Sequence, residues 1–149
     1  MIFDRTQGDV DTAISIRKNK IQKFLTLTES DITSLERGML TRTALNRVEN
    51  KQSELKGLLN GIGYWNTQIT NKSWSLGNEV NTNDYQRIIN NETKLVNAFF
   101  TYSDTPNIPN SMFSFTNMNA IEKILYDLDV MINDVKSNYR ECGTFYCGE

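Results

Sequence analysis

Four acids near the C-terminal end, Glu122, Asp127, Asp129 and Asp134, are the first residues whose type and spacing could do chemistry. Two carboxylates across a cleft, one with a raised pKa, can cleave a glycosidic bond. These four share a stretch whose apolar face, Ile121, Ile124, Leu125 and Leu128, belongs to a core, so Asp127 and Asp129 read as the solvated face opposite. Asp127-Leu128-Asp129 also echoes the start of a calcium loop, but no turn glycine and no closing glutamate follow at loop spacing. Gly61-Ile62-Gly63 lacks the third glycine of a dinucleotide turn and follows a helical pattern, so it reads as a helix C-cap. Cys142 and Cys147 are neither a C-x-x-C motif nor half of a four-ligand zinc site; reduced thiols are the favoured reading and a small disulfide loop the alternative. Asn71-Lys72-Ser73 and Asn91-Glu92-Thr93 match the glycosylation sequon, which chance explains in an Asn- and Thr-rich chain. The chain has no histidine, which excludes a Ser-His-Asp triad, a His-bearing metal site and a histidine pH switch. No nucleophile, base and oxyanion donors can be assembled, so neither an enzyme nor a cofactor is expected.

Sixteen Lys and Arg against eighteen Asp and Glu give a net charge of −2. A general nucleic-acid binder needs a basic surplus or a strongly basic face, so nucleic acid is not an expected partner. No apolar run approaches the roughly 20 residues of a membrane span, and the opening Met1-Ile2-Phe3-Asp4-Arg5 carries no apolar signal core. The expectation is a cytoplasmic product. The length of 149 residues fits one domain, and no Ser/Gly- or Pro-rich linker divides residues 1–149.

The hydrophobic period is about 3.6 residues almost throughout, which predicts an all-α fold. Thr6, with Asp9 three residues on, caps a first helix carrying Val10, Ala13, Ile14, Ile21, Phe24 and Leu25. Arg17, Lys18, Lys20 and Lys23 crowd its later turns; cations suit a helix C-terminus, which is the favoured reading over an anion or lipid patch. Thr28 and Asp31 open a second, short helix with Ile32, Leu35 and Met39 on one face and Gly38 at its end. A third runs from a Thr43 cap through Leu45, Val48, Leu55, Leu58, Leu59 and Ile62, with Gly57 inside it marking a candidate close approach. Asn81 to Asp84 start a fourth, bearing Tyr85, Ile88, Ile89, Leu95, Val96, Phe99 and Phe100. Pro106 and Pro109 mark a loop, and Thr116 or Asn117 opens the longest helix, to about residue 140. The architecture expected is a small bundle of about five helices, two short and N-terminal, three longer, with short extended ends.

Residues 64–80 break the pattern as a short strand, a hairpin or an irregular loop. Seventeen residues is long for a passive connection. Tyr64, Trp65 and Trp74 lie in it, either anchoring the loop on the bundle, which is favoured, or meeting a partner.

Ile2-Phe3-Asp4-Arg5-Thr6-Gln7-Gly8-Asp9-Val10-Asp11 resembles the I-[YF]-D-R-T-Q-x-D-V-D opening of helical modules in phage and prophage tail and minor structural (baseplate-region) proteins of Firmicutes. Leu45-Asn46-Arg47-Val48-Glu49 and Ile121-Glu122-Lys123-Ile124-Leu125 are similar to further stretches of that family. The close, Cys142-Gly143-Thr144-Phe145-Tyr146-Cys147-Gly148-Glu149, resembles S-G-E-[IL]-[YF]-S-G-E, with cysteines at both serine positions and Thr144 for the first glutamate.

The resemblance implies a virion structural protein, an accessory component of a tail or baseplate that acts by protein–protein docking. It implies localisation in the virion, with the host cytoplasm before assembly. It implies other tail or baseplate proteins and copies of this chain as partners, with no nucleic acid, membrane or small-molecule substrate. The alternative is a tail-assembly chaperone or a phage-encoded regulatory module absent from the particle. The candidate partner contacts are Ile2, Phe3, Trp65, Trp74, Phe145 and Tyr146. An extended end at Ile2–Arg5 or Phe145–Gly148 could add to a neighbour's sheet edge.

Overall fold

The computed structural model describes residues 1–65, 67–111 and 114–142, with side chains through residue 138. Phe145, Tyr146, Cys147 and the Cys142 side chain lie outside the described residues. Five α-helices follow one another: α1 (Gln7–Asn19), α2 (Glu29–Gly38), α3 (Arg42–Gly61), α4 (Thr82–Ala98) and α5 (Phe115–Cys142). No strand occurs among the described residues, and residues 67–80 form an irregular loop, so the strand or hairpin alternative fails there.

Side chains fix the helix starts. Thr6, Thr28 and Asn81 each accept the N–H of the residue three on, and the acid there, Asp9, Asp31 or Asp84, accepts the cap's own N–H. Each box satisfies two backbone donors a helix start leaves open. At α3 the cap is Thr41, two residues before the expected Thr43; Thr41 has the extended backbone that lets its hydroxyl accept from the Ala44 N–H. The Ser114 hydroxyl accepts from the Asn117 N–H at 3.1 Å and starts α5.

Helices α3, α4 and α5 pack on one another around the core. It contains Leu45, Val48, Leu55 and Leu59 of α3, Ile88, Ile89 and Leu95 of α4, and Met118, Ile121, Ile124, Leu125, Leu128, Met131 and Ile132 of α5. Helices α1 and α2 pair as a hairpin. Gly38 sets their spacing: a Cβ there would stand 2.1 Å from the Asp9 carbonyl oxygen and 2.5 Å from the Ala13 Cβ. Gly57 faces open space, so no close approach explains it.

The first helix is shorter than its apolar positions suggest. It ends at Asn19, and a 3-10 turn at Ile21–Lys23 follows. The Leu25 N–H bonds to the Lys20 carbonyl at 2.9 Å and the Phe24 N–H to the Ile21 carbonyl at 3.0 Å, with Phe24 left-handed at φ 55°. This is the Schellman pattern that stops helices, and Phe occupies the position usually given to Gly at a cost of roughly 1–2 kcal/mol. Helix α3 stops with the same two bonds, Tyr64 to Leu59 and Gly63 to Asn60, and there the left-handed residue is Gly63. In consequence Ile21, Phe24 and Leu25 are exposed rather than core; Ile14 within α1 and Ile32 on α2 are exposed as well. Helix α4 likewise ends before Phe99, which turns inward while Phe100 faces solvent.

Candidate docking surfaces

The opening segment is held by one carboxylate. Glu122 on α5 is fully buried, at 0 % exposure. Its Oε1 accepts from Arg5 Nη2 at 2.9 Å and from Arg47 Nη2, on α3, at 2.8 Å; its Oε2 accepts the Ile2 backbone N–H. Arg5 Nη1 donates to the Ile2 carbonyl, and Asn119 bonds both the N–H and the carbonyl of Arg5, at 3.2 and 2.9 Å. Ile2 and Phe3 are half-buried, with the Phe3 ring 5.1 Å from that of Tyr126. The backbone groups of Ile2 and Arg5 are thus already bonded within the chain, which disfavours sheet-edge addition by this segment.

A second buried carboxylate shapes the loop after α3. Glu49 receives both terminal nitrogens of Arg87, at 2.5 and 2.7 Å, the Trp74 indole N–H at 2.8 Å and the Lys72 backbone N–H at 2.6 Å. Asn46 bonds the N–H and the carbonyl of Trp74, at 2.8 and 2.9 Å. The Lys72 ammonium sits 4.1 Å over the Trp74 ring, and Trp74 is only 4 % exposed. Trp74 therefore anchors the loop and offers no face to a partner. Trp65 is the opposite, at 70 % exposure. With Gly63, Tyr64, Gln68, Lys94 and Asn97 it lines an open concavity of about 540 Å³. Tyr64 is fixed there by an edge contact on Phe99, ring centres 5.3 Å apart.

Between α3 and α4 the core is polar. Gln52 donates to Glu92 Oε2 at 2.9 Å and to the Ile88 carbonyl at 3.0 Å, while Asn91 donates to Gln52 at 3.2 Å and to the Thr70 carbonyl at 2.8 Å. Glu92 Oε1 has no partner. Burial pushes the Glu92 carboxyl up to about 8, against the Gln52 hydrogen bond that favours its charged form.

The acids of α5 are structural. Asp127, expected in solvent, is buried, taking the Lys123 ammonium and the Thr105 hydroxyl. Asp129 pairs with Lys51 at 2.9 Å. No family model, curated protein or solved structure matches this chain. No cluster of three metal-ligating side chains occurs among the described residues.

The sequence gives Glu49, Gln52 and Glu92 no role of their own by any local motif, and suggests Glu122 only as a catalytic acid and Arg5 only as part of a docking end. The signal was present. Glu49 and Gln52 sit with Leu45, Val48 and Leu55 at the threes and fours of a core stripe, and Glu122 falls between Met118 and Leu125 in the same way. A polar residue on such a stripe needs partners at a distance: Arg87 supplies them for Glu49, Arg5 and Arg47 for Glu122, and Glu92 and Asn91 for Gln52.

Proposed function

We propose that this chain is a non-catalytic structural module, an accessory component of a phage tail or baseplate that works by docking to other proteins. The observation that carries the reading is what the residues of the opening motif do. Arg5 neutralises Glu122, Thr6 and Asp9 form the α1 capping box, and Asp4 and Asp9 both hold Arg37 of α2, at 3.2 and 3.0 Å. The segment with the most distinctive resemblance is thus devoted to fixing the hairpin and the N-terminal strap in place. Such a motif is expected of a rigid building block.

Exposed aromatic groups supply the contact surface: Trp65 and Tyr64 at the α3 end, and Tyr126 beside the half-buried Phe3. Aromatic rings dominate interface hot spots. No described helix is long and apolar enough to cross a membrane.

The deciding experiment is quantitative mass spectrometry of purified particles. Stoichiometric presence of the chain supports the structural assignment. Detection only in the infected-cell lysate overturns it in favour of an assembly chaperone or regulatory module.

A further inference from the structure

The α1–α2 tip carries an apolar cluster with a basic rim. Phe24 projects at 96 % exposure from a left-handed backbone position, with Ile21 and Leu25 exposed on either side in sequence. Residues 12–28 contain Arg17, Lys18, Lys20 and Lys23 and no acid. Lys20 is paired with Asp31 at 2.5 Å. Arg17, Lys18 and Lys23 make no ion pair among the described residues. The helix C-terminus accounts for Arg17 and Lys18. Lys23 likewise ends the 3-10 turn, but a helix end does not account for a phenylalanine where α3 uses a glycine.

The segment leaving α4 carries the complementary set. Phe100 is 58 % exposed and stacks on Phe99, ring centres 4.2 Å apart. Tyr102, also exposed, reaches Asp134 of α5 with its hydroxyl at 3.4 Å. Asp104 and Asp134 are exposed; Asp127 beneath them is balanced by Lys123. Asp104 and Asp134 outweigh the single cation Lys123 beside them, so this face is negative; partial burial and then the charges of Asp134, Asp127 and Asp104 push the Tyr102 phenol up.

We propose that copies of this chain associate head to tail, the Phe24 tip of one copy seating on the Phe100–Tyr102 face of the next, with Lys18 and Lys23 against Asp104 and Asp134. The inference rests on the assembly reading for its setting and deepens it by naming the partner as a second copy and the two surfaces that meet. Both patches stand open within one chain, so neither covers the other. Each pairs apolar area with one sign of charge, and the signs are opposite, which steers the encounter and fixes its orientation. A contact between two different patches is heterologous, so it builds a ring if the rotation closes and a filament if it does not.

The test is sedimentation velocity of the whole chain over a concentration series, in about 50 mM and about 500 mM salt. The expected mass exceeds the 17.1 kDa of one chain at low salt, rises with concentration and falls back at high salt. Lys18→Glu with Lys23→Glu, and separately Asp104→Lys with Asp134→Lys, abolish association, and mixing these two variants restores it. Phe24→Ser weakens it by about tenfold or more. Far-UV circular dichroism confirms that each variant is folded. A wild-type chain that stays monomeric throughout overturns the proposal. So does an oligomer that both charge-reversed variants retain, or a mixture that fails to associate. These readouts are independent of incorporation into particles, so failure here and failure of the assembly reading are told apart.

Discussion

Arg5 and Glu122 stand 117 positions apart in the chain and meet in a 2.9 Å salt bridge inside the protein. Arg47 shares the same carboxylate oxygen at 2.8 Å. Glu122→Ala leaves two guanidinium groups without their counter-charge, one of them almost wholly buried. The expected loss is roughly 3–5 kcal/mol, seen as a lower urea midpoint with an unchanged slope. Arg5→Met costs less, about 1–3 kcal/mol, because Arg47 still answers the carboxylate.

Glu92 sets a pH dependence between pH 4.5 and about 8. Its folded-state pKa, about 8, lies above the ordinary 4.5, so the folded chain keeps a proton that the unfolded chain gives up. The contribution is fully present below pH 4.5 and is lost as pH rises to 8. The drop in unfolding free energy across that window is on the order of 3–5 kcal/mol, and Glu92→Gln flattens it. Asp31 acts at the other end: the hydrogen bond from Lys20, then those from Thr28, hold it at about 2. Its contribution is present above 3.8 and disappears as pH falls through 2, and the carboxyl shift in an NMR titration reads that midpoint directly.

The two tryptophans should separate by fluorescence. In Trp65→Phe the remaining indole, Trp74, is enclosed and bonded to Glu49, so emission is blue-shifted and resists iodide. In Trp74→Phe the remaining Trp65 is quenched readily. Trp74→Ala is expected to cost about 3–5 kcal/mol, while Trp65→Ala leaves thermal stability nearly unchanged.

Two glycines give opposite outcomes on substitution by alanine. Gly38→Ala forces a methyl group onto the Asp9 carbonyl and destabilises the hairpin by about 1–3 kcal/mol. Gly57→Ala meets no neighbour in an exposed helix interior and stabilises by up to about 1 kcal/mol. Thermal melts of the two variants check both signs.

The helical architecture was readable because capping pairs and core stripes are local signals. Thr6 with Asp9, Thr28 with Asp31 and Asn81 with Asp84 mark their helix starts within four residues of chain. The end of α1 was not readable, since Ile21, Phe24 and Leu25 continue the helical spacing while the chain turns at a left-handed phenylalanine. Trp74 resolved as an anchor because of Glu49 and Asn46, residues 25 and 28 positions away that no local pattern connects to it. Asp127 misread as solvated for the same reason: its neighbour Thr105 arrives from a distant loop.

The loop after α3 takes its form from elsewhere. Asn46 offers one amide to both backbone groups of Trp74, as an adjoining strand would, and Asn91 does the same for Thr70. The instructions for that stretch are therefore written in two helices rather than in its own letters. It could be transplanted into another scaffold only together with α3 and α4, whereas rewriting Asn46 or Asn91 would reshape it without altering a single one of its residues.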